Sequence, residues 1–192
     1  MRADLVDHDV GNRVGDRAVV VSQAWFGIQC ADQVAGLPQD FAVHAHVADV
    51  GMDVGAVRRV LDAVLDRHGR LDAVVNCATI DVTAPVAQID EATWERVLRT
   101  NLTGPFVVSR QACGVLPRGG QIVNVASTAA RRAWPNACAY HASKWGLMGL
   151  TQALHAELWT AGIKVSAVIC RLSPHRGRRG RATQVGGRRT PR

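Results

Sequence analysis

The sequence contains no long apolar run. Nowhere do its 192 residues approach the roughly 20 consecutive apolar residues that a transmembrane helix needs. The N-terminal residues, MRADLVDHDVG, are acidic and lack the apolar segment of a secretory signal peptide. We therefore expect a cytoplasmic protein that does not associate with a membrane.

The sequence also lacks cysteine pairs and metal-ligand patterns. The cysteines are odd in number and none forms a C-x-x-C pair; they lie at positions 30, 77, 113, 138 and 170. His44 and His46 lie on one face of a predicted strand but have no third candidate ligand nearby, which favours two ordinary strand residues. We predict reduced, mostly buried thiols and no metal site.

Acidic residues are absent from residues 171–192, where the positive charge is concentrated. This segment holds eight of the 23 basic residues, so residues 1–170 carry 15 basic against 16 acidic residues. An Arg/Gly-rich tail can hold phosphates through counterion release, but these arginines come without aromatic or motif context. We predict a folded domain over residues 1–170 and a disordered tail over residues 171–192, and nucleic-acid binding is disfavoured.

Four apolar segments after residue 41 have the pattern of β-strands. The first alternates in polarity, which is typical of a strand with one buried face. The other three are short and almost wholly apolar, as expected of strands buried on both faces of a parallel sheet. The segments are AVHAHVADV (42–50), LDAVVN (71–76), GGQIVNVAS (119–127) and IKVSAVIC (163–170).

The segments between these strands have apolar residues at helical spacing. They predict helices over residues 53–68, from Glu91 to about Val115, and from about Cys138 to Thr160. Asp90 is placed to cap the second helix. The residues of that helix predicted to point inward are Trp94, Val97, Leu98, Leu102, Phe106 and Val107.

The alternation of strands and helices predicts an α/β fold. We expect a Rossmann-like, doubly wound parallel sheet that forms a single domain. Residues 1–40 fit this pattern poorly, because RAVVVS (17–22) is their one clear strand candidate. The domain is therefore expected to be incomplete at its N-terminal and C-terminal ends.

Polar residues at the predicted strand ends point to a ligand site. Asp49, Asn76 and Ser127 fall at carboxyl ends of strands, where doubly wound sheets bind ligands. Tyr140, the only tyrosine, precedes Lys144 by four residues, which places both on one face of a helix. An ammonium beside a phenol lowers the phenol pKa, which a proton-transferring tyrosine requires. Alone, such a pair is more often a surface helix pair; Ser127 at a strand end favours catalysis.

Five spaced segments resemble the short-chain dehydrogenase/reductase family, over about residues 42–170. In family order they are VADV (47–50), VNCAT (75–79), TNLTGPF (100–106), VNVASTAA (123–130) and YHASK (140–144). The resemblance implies an oxidoreductase that interconverts a small-molecule alcohol and a carbonyl compound by hydride transfer with NAD or NADP. It also implies a homo-oligomer.

The resemblance implies roles for single residues as well. Tyr140 would be the general acid in reduction and the general base in oxidation, and Lys144 would bind the nicotinamide ribose and lower the Tyr140 pKa. Ser127 would polarise the carbonyl, and Asn101 would hold a water in a proton relay. The implied cofactor-binding residues are Asp49 and Val50 at the adenine, together with Asn76, Ala78, Tyr140 and Lys144.

Departures from the family pattern leave a second interpretation open. The nearest match to the family's phosphate turn, T-G-x-x-x-G-x-G, is DVGNRVGDRA (9–18), where Arg17 replaces the third glycine. Cys77 and Thr79 replace residues of the family's N-N-A-G turn. Residues 171–192 stand where the family has Pro-Gly and a last strand, as after a shift of reading frame. The alternative is a truncated relative that keeps the middle of the fold without cofactor turnover.

Cofactor preference and self-association are weakly marked. NAD is slightly preferred, because VVVSQA (19–24), where the second strand would end, offers no basic residue for a 2′-phosphate. A serine hydrolase is disfavoured, because no G-x-S-x-G surrounds Ser127.

Four apolar residues would pack against a second copy or equally well belong to the core: Trp94, Phe106, Trp145 and Leu147.

Overall fold

A six-stranded sheet with helices packed on it forms the body of the protein. The computed structural model describes the backbone of residues 3–10, 17–24 and 42–48 and all atoms of residues 54–170. The strands are β1 (Ala3–Val10), β2 (Arg17–Ala24), β3 (Ala42–Ala48), β4 (Ala73–Asn76), β5 (Gln121–Ser127) and β6 (Lys164–Cys170). The helices are α1 (Val54–His68), α2 (Glu91–Leu98), α3 (Gly104–Ala112) and α4 (Cys138–Leu158).

The strand order is β3-β1-β2-β4-β5-β6. Strands β1 and β2 lie inside the sheet, β3 forms one edge, and β4 to β6 follow one another to the other edge. Strands β2, β4, β5 and β6 are parallel. The predicted doubly wound α/β fold is confirmed. Strand β1 departs from the parallel pattern, because it is antiparallel to both β2 and β3. No strand is predicted before residue 17, because three aspartates and a histidine interrupt the apolar residues of ADLVDHDV.

The single helix predicted from Glu91 to about Val115 is divided in the structure. Asp90 caps α2 as predicted, since its Oδ1 accepts a hydrogen bond of 2.8 Å from Thr93 N. A π-helical turn, Arg99–Thr103, then separates α2 from α3. A π-helical turn holds one residue more than an α-turn and shifts the inward face of the residues after it. Val107 is accordingly buried and Phe106 is 43% exposed, contrary to the prediction for Phe106.

One apolar cluster joins three helices to one face of the sheet. Val74, Ile122 and Val165 of β4, β5 and β6 lie in it together with buried residues of α1 and α3 and half-buried leucines of α4. Val97 is buried as predicted, but Trp94 is 37% exposed, because the short helix α2 buries only a narrow stripe. The parallel strands β4, β5 and β6 are therefore held by a closely packed apolar core, which supports their carboxyl ends.

Candidate active site

Tyr140 and Lys144 lie one turn apart near the start of α4, and both side chains are buried. Tyr140 is 5% exposed and Lys144 is 2% exposed. Lys144 Nζ lies 5.7 Å from the centroid of the Tyr140 ring and donates a hydrogen bond of 3.0 Å to Val125 O. The two residues share one helix face as predicted, and they form a buried pair at the sheet instead of a surface helix pair.

Burial governs the protonation of this pair. Burial raises the pKa of Tyr140, the Ser127 hydroxyl partly offsets this by hydrogen bonding, and the Asp81 carboxylate raises that pKa further. Burial also lowers the pKa of Lys144 to about 8. The net shift of the Tyr140 pKa is therefore opposite to the expected lowering, because the phenolate would lose more hydration on burial than its neighbours restore. Tyr140 is therefore a protonated phenol at neutral pH.

Ser127 ends β5 beside the Tyr140 hydroxyl. Its side chain is buried, and its Oγ accepts a hydrogen bond of 3.2 Å from Ala129 N at the start of the 3₁₀ turn Thr128–Ala130. The hydroxyl group can still donate its own hydrogen. Ser127 and Tyr140 are thus brought together, and both can act on one substrate oxygen.

Asn101 lies on the π-helical turn and is completely buried. Its Oδ1 accepts from Ile80 N at 2.8 Å, and its Nδ2 donates to Ile80 O at 2.8 Å and to Ser143 Oγ at 3.0 Å. Both amide hydrogens are therefore occupied, and the side chain fixes the loop that follows β4. A water at the Asn101 side chain has only the remaining lone pair of Oδ1 to bond.

Asn76 and Ala78 lie where β4 ends, and both are buried. Asn76 Nδ2 donates to Asn124 Oδ1 at 2.8 Å, and Asn124 Nδ2 donates to Thr151 Oγ1 at 2.9 Å, which links β4, β5 and α4. Asn76 Oδ1 is buried and has no partner among the described residues. Of the other predicted cofactor-binding residues, Asp49 and Val50 lie outside the described residues.

Several residues of the site were missed by the reading of the sequence. His141 connects α4 to the loop after β5, because its Nδ1 lies 2.9 Å from Ala129 O and its Nε2 accepts from Trp134 N at 3.1 Å. Thr79 and Asp81 both face Tyr140. His141 could have been found from its position next to Tyr140 in the sequence. Thr79 and Asp81 lie in a loop, where no periodic pattern marks them.

The pairing of β2 also changes the position of the expected phosphate turn. Strand β2 runs parallel beside β4, where the Rossmann order 3-2-1-4-5-6 has its first strand. The glycine-rich turn should therefore follow β2, and not lie in residues 9–18. Aligned on Gly27, the pattern T-G-x-x-x-G-x-G has Ser22 at its threonine and Gln23 and Gln29 at its first and third glycines. Residues 25–30 themselves lie outside the described residues.

Residues 3–10, 17–24, 42–48 and 54–170 contain neither a membrane-spanning helix nor a metal-binding cluster. No helix there is long and apolar enough to cross a membrane. No group of three or more His, Cys, Asp or Glu side chains there is arranged to hold a metal ion.

The comparisons with known proteins agree on one family. The model of the short chain dehydrogenase family matches residues 14–173. A protein provisionally named a ketoacyl reductase from Streptomyces coelicolor is 41% identical over 119 residues, which are 60% of this chain and 46% of that protein. D-threitol dehydrogenase from Mycolicibacterium smegmatis is 36% identical over 137 residues, which are 70% of this chain and 52% of the relative.

Solved structures give the same result. The crystal structure of a short chain dehydrogenase from Burkholderia cenocepacia in complex with NADP is 34% identical, with a TM-score of 0.60, over 64% of this chain and 50% of that one. The chain spans about half the length of the curated relatives it matches. It belongs to the short chain dehydrogenase family.

Proposed function

We propose that this chain interconverts an alcohol and a carbonyl compound by NAD(P)-dependent hydride transfer at Ser127, Tyr140, Lys144 and Asn101. The observation that carries the proposal is the buried Tyr140 side chain, which lies close enough to Ser127 for that hydroxyl to act on its protonation, with Lys144 Nζ 5.7 Å from the tyrosine ring. The names of two relatives, a ketoacyl reductase and a D-threitol dehydrogenase, support this reaction type.

Proton transfer falls to Tyr140. Its raised pKa keeps the phenol protonated at neutral pH, so it can donate a proton to a carbonyl oxygen in reduction and recover one from the alcohol in oxidation. Lys144, with a pKa of about 8, is largely an ammonium at pH 7 and stabilises the phenolate left behind. The Ser127 hydroxyl donates a hydrogen bond to the same substrate oxygen.

The residues at this edge of the sheet suit the nicotinamide end of the cofactor. Within the described part of the chain, Lys144 Nζ donates one hydrogen bond, to Val125 O, which leaves hydrogens for ribose hydroxyls. Asn76 Oδ1 and Thr79 Oγ1 are buried acceptors without partners there. When bound, the nicotinamide accepts the hydride in oxidation and supplies it in reduction. Asn76 and Ala78 would contact it there, and Asp49 and Val50 would contact the adenine.

The choice between NAD and NADP has no marker in the chain. The slight preference for NAD assumed that residues 19–24 end the second strand of the sheet order. Strand β2 instead pairs with β4, so this segment carries no information on the 2′-position. A similar solved structure holds NADP, and the preference for NAD therefore has no support.

The second candidate is a family member that has lost cofactor turnover. It is favoured by Gln23 and Gln29 at two aligned glycine positions, of which Gln23 lies within β2, because a side chain at such a position obstructs the approach of the pyrophosphate to the backbone. A titration of the chain with NADH and NADPH, followed by nicotinamide fluorescence, separates the two candidates. Saturable binding together with turnover of an alcohol supports the first, and binding absent at millimolar cofactor supports the second.

A repaired phosphate turn sharpens this test. We expect the double variant Gln23→Gly/Gln29→Gly to bind NAD(P)H more tightly than the unaltered chain, by about tenfold or more, because a glycine backbone can donate directly to the pyrophosphate. Gln33→Gly, a few residues later, is the matched control and should leave the dissociation constant unchanged. Equal binding by all three proteins would mean that the turn lies elsewhere.

We also propose a homo-oligomer. Among the residues expected at its contact, Trp94, Phe106 and Trp145 are exposed on α2, α3 and α4, whereas Leu147 is buried and belongs to the core. Sedimentation of the chain against Trp145→Glu tests this, because a charge at a buried contact should dissociate the assembly. A cytoplasmic location remains a prediction.

A further inference from the structure

The loop between β4 and α2 passes Tyr140 and is held at two points. Ile80 N and Ile80 O both bond to the side chain of Asn101, each at 2.8 Å. Ala84 N donates to Asn136 O at 2.9 Å. Asp81 lies directly after the first of these points, so its backbone position is fixed relative to the site.

The Asp81 side chain is half-buried and incompletely paired. Its carboxylate is in contact with the Val82 backbone, but Oδ1 is buried without a hydrogen-bond partner among residues 54–170. Two residues earlier, Thr79 Oγ1 is also buried and has no hydrogen-bond partner among these residues. Both side chains lie close enough to Tyr140 to act on its protonation. A buried acceptor without a donor carries an uncompensated desolvation cost, which a ligand with a donor would remove.

The titratable groups that face Asp81 are already engaged. His141 faces the carboxylate, but both nitrogens of its ring are bonded, to Ala129 O and to Trp134 N. In the proposed function the Tyr140 hydroxyl faces the reacting oxygen together with Ser127, and Lys144 donates to Val125 O. The carboxylate oxygen is therefore left for a donor that does not come from these side chains.

We propose that Asp81 is a specificity-determining residue, which accepts a hydrogen bond from a second hydroxyl or an ammonium group next to the reacting carbon of the substrate. The position follows from Tyr140, which faces both the reacting oxygen and Asp81. The inference rests on the proposed function and names its substrate class as vicinal diols, hydroxyketones and amino alcohols. A hydrogen bond to a charged acceptor favours such substrates over simple alcohols by about 10- to 100-fold.

The experiment compares trans-1,2-cyclohexanediol, 2-aminocyclohexanol and cyclohexanol as substrates for oxidation. The unaltered chain should show a kcat/KM about 10-fold or more higher for at least one of the first two compounds than for cyclohexanol. Asp81→Ala should bring the ratio of kcat/KM for these compounds to that for cyclohexanol down to about one, whereas its effect on the Tyr140 pKa is common to all three compounds and cancels in that ratio. Asp81→Asn should keep part of the preference for the diol but lose that for the amino alcohol. Asp62→Asn, an exposed acid on α1, is the matched control. No preference in the unaltered chain, or an equal loss for all three compounds in Asp81→Ala, would overturn the proposal.

A second readout does not depend on turnover. Tyr140 is the only tyrosine, so a ¹³Cζ-tyrosine label gives a single resonance that reports on the site. The diol or the amino alcohol should shift this resonance saturably in the unaltered chain, and the shift should be lost in Asp81→Ala but kept in Asp62→Asn. If no alcohol is turned over, the proposed oxidoreductase function fails for this chain, and the resonance alone decides on Asp81: the same response in Asp81→Ala as in the unaltered chain rejects it.

Discussion

The buried polar side chains of this chain fall into two regions that differ in how fully their hydrogen bonds are made. In the region that supports the carboxyl edge of the sheet, Asn124 and Asn101 donate hydrogen bonds to Thr151 and Ser143 of α4. These two hydroxyls in turn donate to carbonyl oxygens of α4, and the four bonds measure 2.7 to 3.0 Å. At the edge itself, the residues around Tyr140 are buried but only partly bonded, and this group consists of Thr79, Asp81, Tyr140 and Lys144. We call these two groups the lower network and the edge group.

This difference distinguishes residues that hold the fold together from residues that are left to bond a ligand. A completed network in a low-dielectric interior holds its elements in one arrangement, which is how Asn101 fixes Ile80. A buried group that lacks partners is costly for folding and is kept where a ligand will complete it. Asn76 lies between the two groups, because its Nδ2 is bonded to Asn124 and its Oδ1 is not bonded. Variants in the two groups should therefore fail in different assays.

The largest effect is expected for Tyr140→Phe in the edge group. Removing the hydroxyl should lower kcat/KM by about 10²- to 10⁴-fold, because proton transfer is lost, while cofactor binding stays nearly constant. The free energy of unfolding should change little, since the hydroxyl is imperfectly bonded. Steady-state kinetics and urea unfolding measure the two quantities, with the exposed Trp159→Phe as control. Retention of activity within tenfold would remove Tyr140 from the mechanism.

The next effect is expected for Asn101→Ala in the lower network. The change leaves Ile80 N and Ile80 O without partners in a buried place, which should lower the free energy of unfolding by about 3 kcal/mol. Urea unfolding measures this loss, and Thr103→Ala, an exposed position of the same π-helical turn, should stay close to the unaltered chain. If Asn101→Ala proves equally stable but inactive, Asn101 belongs with the edge group.

Lys144 should make stability depend on pH in a defined direction. Its pKa of about 8 in the folded chain lies below the ordinary value of 10.5, so the unfolded chain binds more protons between these values. The free energy of unfolding should therefore rise from about pH 8 to about pH 10, by up to about 3 kcal/mol. Above that range Tyr140 has the opposite effect. Its raised pKa means that the folded chain keeps the phenol proton more readily than the unfolded chain, so the free energy of unfolding falls as the pH rises further. In Lys144→Met the rise should be absent, and a rise of the same size there would assign it to another group.

The smallest effect is expected outside both groups. Arg58 Nε and Asp62 Oδ1 form an ion pair of 2.9 Å on α1 that is open to water on both sides. Solvent screening and side-chain entropy offset such pairs, so Arg58→Ala should give no measurable change in the free energy of unfolding or in kcat/KM. A clear loss of stability would show that exposed pairs contribute to this fold as buried ones do.

The middle of the fold was largely predictable, and particular residues show why. The strands that became β4, β5 and β6 are short and apolar, and the spacing of Tyr140 and Lys144 places them on one helix face in any helix. Strand β1 was missed because its stability depends on pairing with β2 and β3, which a local pattern does not report. Phe106 was assigned inward because an unbroken helix was assumed, and the spacing of apolar residues does not mark the π-helical turn that displaces it.

The sequence by itself determined the residue types and their order: a tyrosine and a lysine one turn apart, a serine after an apolar run, and the strands that carry them. The tertiary structure decided the state of those residues. Whether the Tyr140 pKa rises or falls depends on how much water burial removes and on the approach of Asp81 from another part of the chain. Hydration and distance between remote segments are properties of the packed molecule, and local spacing along the chain does not contain them.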